Sequence, residues 1–158
     1  MNFDLSEEQK LIQETARDFA TAELEAAAAE LDRGGDGAIF LANLNKLAEL
    51  GFMGLNIREA YGGSEAGPIA FSLAITEIAR ACASTAVTVS VNNMVAEVIQ
   101  ALASEEQKQK YISAICSGEY PAGAFALTEP GAGSDPAGMT TTAVRDGDHW
   151  VLDGQKWF

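Results

Sequence analysis

The hydrophobic period of this chain changes once, near residue 120, and that change restricts the fold to a helical part followed by a β part. Before it, apolar residues recur three and four apart. After Pro121 the period falls to about two, with β-branched and aromatic residues gathered in Thr140–Val144 and Trp150–Leu152. The expected domains are residues 1–120 and 121–158. About 38 residues remain for the β part, room for three or four strands and too few to cover both faces of a sheet.

Five helices are expected in the first part. Ser6-Glu-Glu-Gln9 fits a capping box, and Leu5, Ile12, Ala16, Phe19 and Leu24 begin one apolar stripe that continues to Leu31. Gly34, Gly35 and Gly37 break it. Phe40, Leu44, Leu47 and Leu50 form a second stripe, closed by Gly51 at a left-handed C′ position, and Tyr61-Gly-Gly63 belongs to an irregular connection. Pro68 suits the first turn of a third helix, on which Phe71, Ala74, Ile75, Ile78 and Cys82 share a face. Ser84 or Thr85 can cap a fourth, whose Val87, Val89, Val91, Val95, Val98, Ile99 and Leu102 make it apolar on nearly every side. Its β-branched content makes a strand the competing reading for Ala86–Val91, but the length of the pattern favours a buried helix. A second capping box, Ser104–Gln107, opens a fifth helix that Gly118 ends.

In the β part, Asp146-Gly147 is a two-residue hairpin signal and Asp153-Gly154 a second turn of the same chemistry. Lys156-Trp-Phe158 then reads as a strand that the end of the sequence interrupts, the pattern expected of a fragment or of a chain that needs a partner surface.

Charge narrows the function. The net charge of −13 opposes nonspecific attraction to nucleic acid or to an anionic membrane, and no basic patch offsets it. Cys82 and Cys116 stand far apart without metal-ligand spacing, so buried free thiols are expected, with no metal site and no disulfide framework. There is no basic leader and no apolar run of the ~20 residues that a membrane span requires, which makes the cytoplasm the expected compartment.

Between the two parts lies Phe125-Ala-Leu-Thr-Glu-Pro-Gly-Ala-Gly-Ser-Asp-Pro-Ala-Gly138. Gly131, Gly133 and Gly138 around Ser134 and Asp135 allow backbone dihedrals that residues with a Cβ rarely adopt. Consecutive amides in such a loop can form an anion nest, with a serine hydroxyl as a further donor. The dinucleotide fingerprint fails, because a strand and not a helix follows. The Walker pattern fails for want of Gly-Lys-Ser/Thr. By composition alone an ordinary β-turn loop is the better reading.

As a whole string, Phe125–Asp135 resembles the flavin-binding signature of the acyl-CoA dehydrogenase family. The resemblance extends to Phe3–Gln9, Glu49–Gly54 with Tyr61-Gly-Gly63, Glu105–Tyr111 and Asp153–Phe158, in family order along the entire chain. It implies an α+β fold: an N-terminal all-α domain, then the first strands of an antiparallel β-barrel-like middle domain, truncated here before the family's C-terminal helical bundle. It further implies FAD as cofactor, an acyl-CoA thioester as substrate oxidised to the trans-2-enoyl form, and an electron-transfer flavoprotein as acceptor. A homotetramer or homodimer is implied for the full-length protein. An oxygen-using acyl-CoA oxidase and a non-catalytic helical interaction module are the alternatives. No catalytic residue is assigned, since the family's glutamate base generally lies in the C-terminal part.

The resemblance also assigns site residues. Phe125, Leu127 and Thr128 correspond to the strand along the flavin, with Thr128 at the ring's polar edge. Gly133 and Ser134 correspond to the pyrophosphate region, Ser134 also approaching the acyl-CoA. Phe158 takes the aromatic position that packs on the isoalloxazine. Ser90 and Met94 are candidates for lining the acyl pocket, with core packing the preferred reading. Asp135 is expected to brace its turn. Glu129, before Pro130 in a turn, is read as structural and not as a base. His149 is expected on the strand surface, and Trp150 and Trp157 as packing on a sheet face.

Overall fold

Ser6 starts the first helix by reciprocal capping. Its Oγ accepts from the Gln9 amide at 3.1 Å, and Gln9 Oε1 accepts from the Ser6 amide at 3.0 Å, satisfying donors that helix geometry leaves orphaned. The structure, a computed structural model, describes residues 3–35 and 37–158. Helix α1 (Glu7–Phe19) passes through a π-helical segment (Ala20–Leu24) into α2 (Glu25–Asp32) without a break. Next is α3 (Gly37–Glu49), so Gly37 begins a helix and does not extend the break. Gly51 follows it at φ 80°, the left-handed conformation expected there. Then come α4 (Gly67–Ala81), α5 (Ala83–Leu102), and α6 (Glu105–Gln107), which runs through a second π-helical segment (Lys108–Ile112) into α7 (Ser113–Cys116).

The chain falls into two compact units, residues 1–124 and 125–158. In the first, α1 packs on α4 and α4 on α5. Phe19, Leu24, Leu44, Leu47, Phe52, Met53, Ile78 and Val89 share one buried cluster. Ile57, Tyr61, Ala96, Ile112, Ile115 and Cys116 share another. Each large side chain so buried contributes about 1.5–3 kcal/mol. Both cysteines are free and buried, and burial pushes the Cys116 thiol up to about 11.

Helix α5 departs from expectation twice. Its N-cap is Cys82, with neither Ser84 nor Thr85 capping; Thr85 Oγ1 instead donates to Cys82 Sγ at 3.2 Å. Nor is the helix buried on all sides. Thr85, Ala86, Val89, Asn92, Asn93 and Ala96 face the core, while Val87, Met94, Val98 and Leu102 are exposed. Polar side chains are inside because the turn at 52–55 leaves backbone groups that only they satisfy. Asn93 accepts from the Leu55 amide at 2.8 Å and donates to the Phe52 and Val89 carbonyls, both at 2.9 Å. Asn92 donates to the Met53 carbonyl at 2.9 Å and accepts from the Gly123 amide at 2.8 Å. A buried peptide group without a partner would cost about 1–3 kcal/mol.

In the second unit β1 (Thr142–Asp146) and β2 (His149–Asp153) pair antiparallel, Thr142 opposite Asp153 and Asp146 opposite His149. The loop residues are therefore Gly147 and Asp148, one position later than Asp146-Gly147. Gly147 has φ 58° and Asp148 has no positive φ, the pattern of a type II′ turn with glycine first. Among the described residues two strands form, not three or four. Phe125–Thr128 and Lys156–Phe158 lie outside the ladder, joined by the Trp157 amide donating to the Thr128 carbonyl at 2.7 Å. Both strands are exposed along their length. Trp150 and Trp157 are likewise exposed, at 64% and 51%, so neither packs on a sheet face as expected. His149 is an exposed strand residue, as read from the sequence. An all-α unit followed by an antiparallel hairpin unit makes the chain α+β.

Candidate functional site

Glu129 organises the glycine-rich stretch. It is 4% exposed. Its Oε2 accepts from the Thr140 amide at 2.7 Å and the Thr140 hydroxyl at 3.0 Å. Its Oε1 accepts from the Thr141 amide at 3.0 Å and the Lys156 ammonium at 2.9 Å. The Thr140 backbone N–H first, then Thr141 and Lys156, hold its carboxyl far below the usual carboxylate range. A carboxylate so stabilised does not take up a proton near neutral pH, so Glu129 is a brace and not a base. Lys156 also donates to the Leu127 carbonyl at 2.9 Å, so three stretches of chain meet at one ion pair. Asp135 braces its own turn, Oδ1 accepting from the Ala137 amide at 3.1 Å.

Around this brace opens a cavity of about 340 Å³ lined by Thr128, Glu129, Pro130, Gly133, Trp157 and Phe158. Trp157 and Phe158 meet edge to face, 6.3 Å between ring centres. Among the described residues, the Thr128 and Ser134 hydroxyls have no hydrogen-bond partner, and the amides of Gly131, Gly133, Ser134 and Asp135 find no acceptor.

The glycines behave differently from the sequence expectation. None of Gly131, Gly133 and Gly138 has a positive φ. A Cβ added to Gly131 or Gly133 would meet nothing within 4 Å, and one on Gly138 would make only ordinary contact, the Ala132 Cβ at 3.8 Å. Nothing in this chain therefore requires glycine at 131 or 133, although glycine costs about 0.5–1 kcal/mol in conformational entropy relative to alanine. Bare backbone, open space and unpaired amides are what a pyrophosphate-bearing ligand needs for close approach.

Of the residues assigned from the sequence, Thr128, Gly133 and Phe158 share this cavity. Ser134 adjoins Gly133 and is exposed. Phe125 and Leu127 do not line it; their side chains are 48% and 36% exposed. Ser90 lies in the helical unit, in a groove of about 280 Å³ with Ile75, Ala79, Val87 and Val91. Met94 is exposed on α5 and outside that groove, so the core packing preferred for it does not hold. Among the described residues no group of three His, Cys, Asp or Glu could hold a metal, and no helix is long and apolar enough to cross a membrane.

Sequence reasoning missed Lys156 and the cavity roles of Pro130 and Trp157. Lys156 carried little signal, being one of two cations in residues 125–158 and marked only by the two aromatics that follow it. Asn92-Asn93 inside an apolar helix was a clearer signal, since amides placed there are buried only with partners.

A helical unit followed by a hairpin unit, with an amide-rich open loop at the start of the second, defines an α+β class. The pattern described as acyl-CoA dehydrogenase, N-terminal domain, matches residues 6–119, and that of the middle domain matches residues 124–158; the chain belongs to the acyl-CoA dehydrogenase family. It is 36% identical over 159 residues to the short-chain specific acyl-CoA dehydrogenase of Clostridium acetobutylicum, covering all of this chain and 41% of that protein. A chain of the electron transferring flavoprotein structure from Acidaminococcus fermentans, a study of flavin-based electron bifurcation, superposes with a TM-score of 0.90 at 37% identity, over 99% of this chain and 40% of that one. The acyl-CoA dehydrogenase complexed with FAD from Bacillus anthracis superposes at 0.86 and 33% identity, over 97% and 26%. The chain thus spans about 40% of the length of the curated relatives it matches.

Proposed function

We propose that the full-length protein oxidises an acyl-CoA thioester to its trans-2-enoyl form with FAD as cofactor, and that residues 121–158 supply one wall of the flavin site. The carrying observation is the loop at Gly131–Ser134: glycines without a steric reason inside the chain, beside amides without acceptors. FAD, when bound, accepts the hydride that leaves the acyl β-carbon. This chain's own part is to bind and orient. The Gly133 and Ser134 amides and the Ser134 hydroxyl are proposed to hold the pyrophosphate region, the Thr128 hydroxyl the polar edge of the ring, and Phe158 its face. Phe125 and Leu127 are assigned to the same wall. Ser90 and Met94, on the exposed side of α5, are proposed to meet the acyl chain, and residues 1–120 to form the helical domain that carries them.

The FAD-bound relative, the relative named for short acyl chains and the electron transferring flavoprotein structure support a short acyl-CoA as substrate and an electron-transfer flavoprotein as acceptor. A homotetramer or homodimer in the cytoplasm, serving fatty-acid β-oxidation, completes the reading. The test is spectroscopic. The purified full-length protein is expected to be yellow, and anaerobic addition of butyryl-CoA to bleach it. Absence of a flavin band after incubation with FAD would sink the reading. Fast reoxidation of the bleached protein by oxygen would turn it into an oxidase.

A further inference from the structure

Before the flavin-signature stretch begins, the chain passes over α5 at Gly123. The Gly123 amide donates to Asn92 Oδ1 at 2.8 Å, and Asn92 is fully buried. The orientation of that oxygen is fixed from its other end, because Asn92 Nδ2 donates to the Met53 carbonyl at 2.9 Å. One turn further along α5, Val95 sits directly beneath the same glycine. A Cβ on Gly123 would lie 3.0 Å from both Val95 Cβ and Cγ1, closer than such carbons normally approach. Gly123 has no positive φ, so its bare backbone answers to Val95 and not to a turn.

We propose that Asn92 is a positioning residue: together with Val95 it seats Gly123 and thereby fixes where the stretch Phe125–Thr128 starts. Two residues of extended chain span at most about 7 Å, so Phe125 stays within that reach of Gly123. Asn93 is the internal control. It is equally buried and makes two bonds to the 52–55 turn where Asn92 makes one, but none of its bonds reaches Gly123. If both asparagines served only to satisfy that turn, removing Asn93 would loosen residue 123 at least as much as removing Asn92. The inference rests on the flavin reading of Phe125–Thr128 given above, and goes beyond it by naming what holds that stretch from the helical side.

The experiment uses the full-length protein with Asn92→Ala, Asn93→Ala, Gly123→Ala and the double variant Gly123→Ala/Val95→Ala. Thermal midpoint, hydrogen exchange of the amide at 123 and FAD affinity are read for each. Among residues 123–128 that amide is the one with an acceptor among the described residues. Asn92→Ala and Gly123→Ala are expected to accelerate exchange at 123 and to weaken FAD binding about tenfold, the order of one lost hydrogen bond. Adding Val95→Ala is expected to restore the Gly123→Ala protein in part, since it removes the two γ carbons and keeps the Val95 Cβ. Asn93→Ala is expected to lower the thermal midpoint at least as much as Asn92→Ala while leaving exchange at 123 and FAD affinity unchanged. Equal loosening of 123 by Asn93→Ala, or none by Asn92→Ala, would overturn the proposal. If Asn92→Ala fails to fold, the Gly123 pair decides, because that site is only half-buried. If the unmodified protein binds no FAD, the flavin reading falls, and exchange at 123 alone still decides the tether.

Discussion

The Lys156 ammonium lies 2.9 Å from Glu129 Oε1 and 2.9 Å from the Leu127 carbonyl, so one side chain ties together the stretches on either side of the cavity at Thr128 and Phe158. Lys156→Met keeps the apolar stem and removes both bonds. It is expected to lower the melting temperature of the 125–158 unit by several degrees. Both tryptophans, Trp150 and Trp157, lie in that unit, so tryptophan fluorescence reads it selectively. A variant melt that overlays the original would show that the three threonine donors alone hold Glu129.

Acid should act on the same brace. The folded-state pKa of Glu129 is depressed, by the Thr140 N–H above all, so its contribution to stability is complete above the ordinary glutamate value of about 4.3. It is lost progressively as pH falls below that value toward the depressed one. Tryptophan fluorescence recorded from pH 7 to pH 2 is expected to report loosening of the second unit on the acid limb. Glu129→Gln should loosen it already at pH 7 and flatten the acid limb. An unchanged acid limb in that variant would assign the transition to another carboxylate.

Gly133→Ala separates the two explanations of the glycine loop by the sign of its effect. With no positive φ and nothing within 4 Å of an added Cβ, alanine is tolerated and should stabilise the chain by about 0.4–1 kcal/mol through the unfolded state. If the open space serves a ligand, the same methyl should weaken FAD binding by about tenfold or more. Thermal melts and flavin titrations of one protein pair test both halves. A gain in stability with undiminished FAD affinity would leave the loop an ordinary turn.

Glu77 clamps α4 to α1. It is 4% exposed and accepts from Arg17, Arg80 and Gln13, with Arg17 Nη2 at 2.9 Å and Gln13 Nε2 at 3.1 Å. Its carboxyl is held below the usual range, the Arg17 hydrogen bond contributing most. Because Arg17 and Arg80 are half-exposed or more, solvent screens the pair, and Glu77→Gln is expected to cost the helical unit about 1–2 kcal/mol at pH 7. The cost should shrink as pH falls below the ordinary glutamate value of about 4.3 toward the depressed one, since the unfolded chain takes up a proton there that native Glu77 resists. Circular-dichroism melts at about pH 7 and about pH 3 give the comparison; an equal loss at both would make the effect one of packing.

The helices were legible because their signals are local. Ser6 and Ser104 both form the capping boxes that their spacing announces, and Gly51 and Gly118 both take positive φ where a stop was read. What the sequence hid depends on partners distant along the chain. The valines of α5 divide between two faces because Asn92 and Asn93 must reach carbonyls about 40 residues away, at Phe52 and Met53. The hairpin turned one residue late because a type II′ turn puts glycine first, whereas Asp-Gly suggests a type I′ turn with glycine second. In the candidate site the loop itself stood out in the sequence, and Thr128, Gly133 and Phe158 do share a cavity. Lys156 did not stand out, since its role exists only once residues 127, 129 and 156 meet.

Ser134 and Asp135 are neighbours with opposite expected phenotypes. The Ser134 hydroxyl has no partner among the described residues, so Ser134→Ala should leave stability within about 0.5 kcal/mol. It should weaken FAD or acyl-CoA binding about tenfold if that hydroxyl donates to a ligand phosphate or carbonyl. Asp135 accepts the Ala137 amide and caps the short 3₁₀ turn at Pro136–Gly138. Asp135→Asn retains an accepting oxygen and should be nearly neutral, whereas Asp135→Ala should cost about 0.5–2 kcal/mol without a direct effect on the ligand. Melting curves and parallel titrations with FAD and butyryl-CoA on the three variants test the division. Unchanged titrations for Ser134→Ala would remove the serine from the site and leave the amides of Gly133 and Ser134 as its donors.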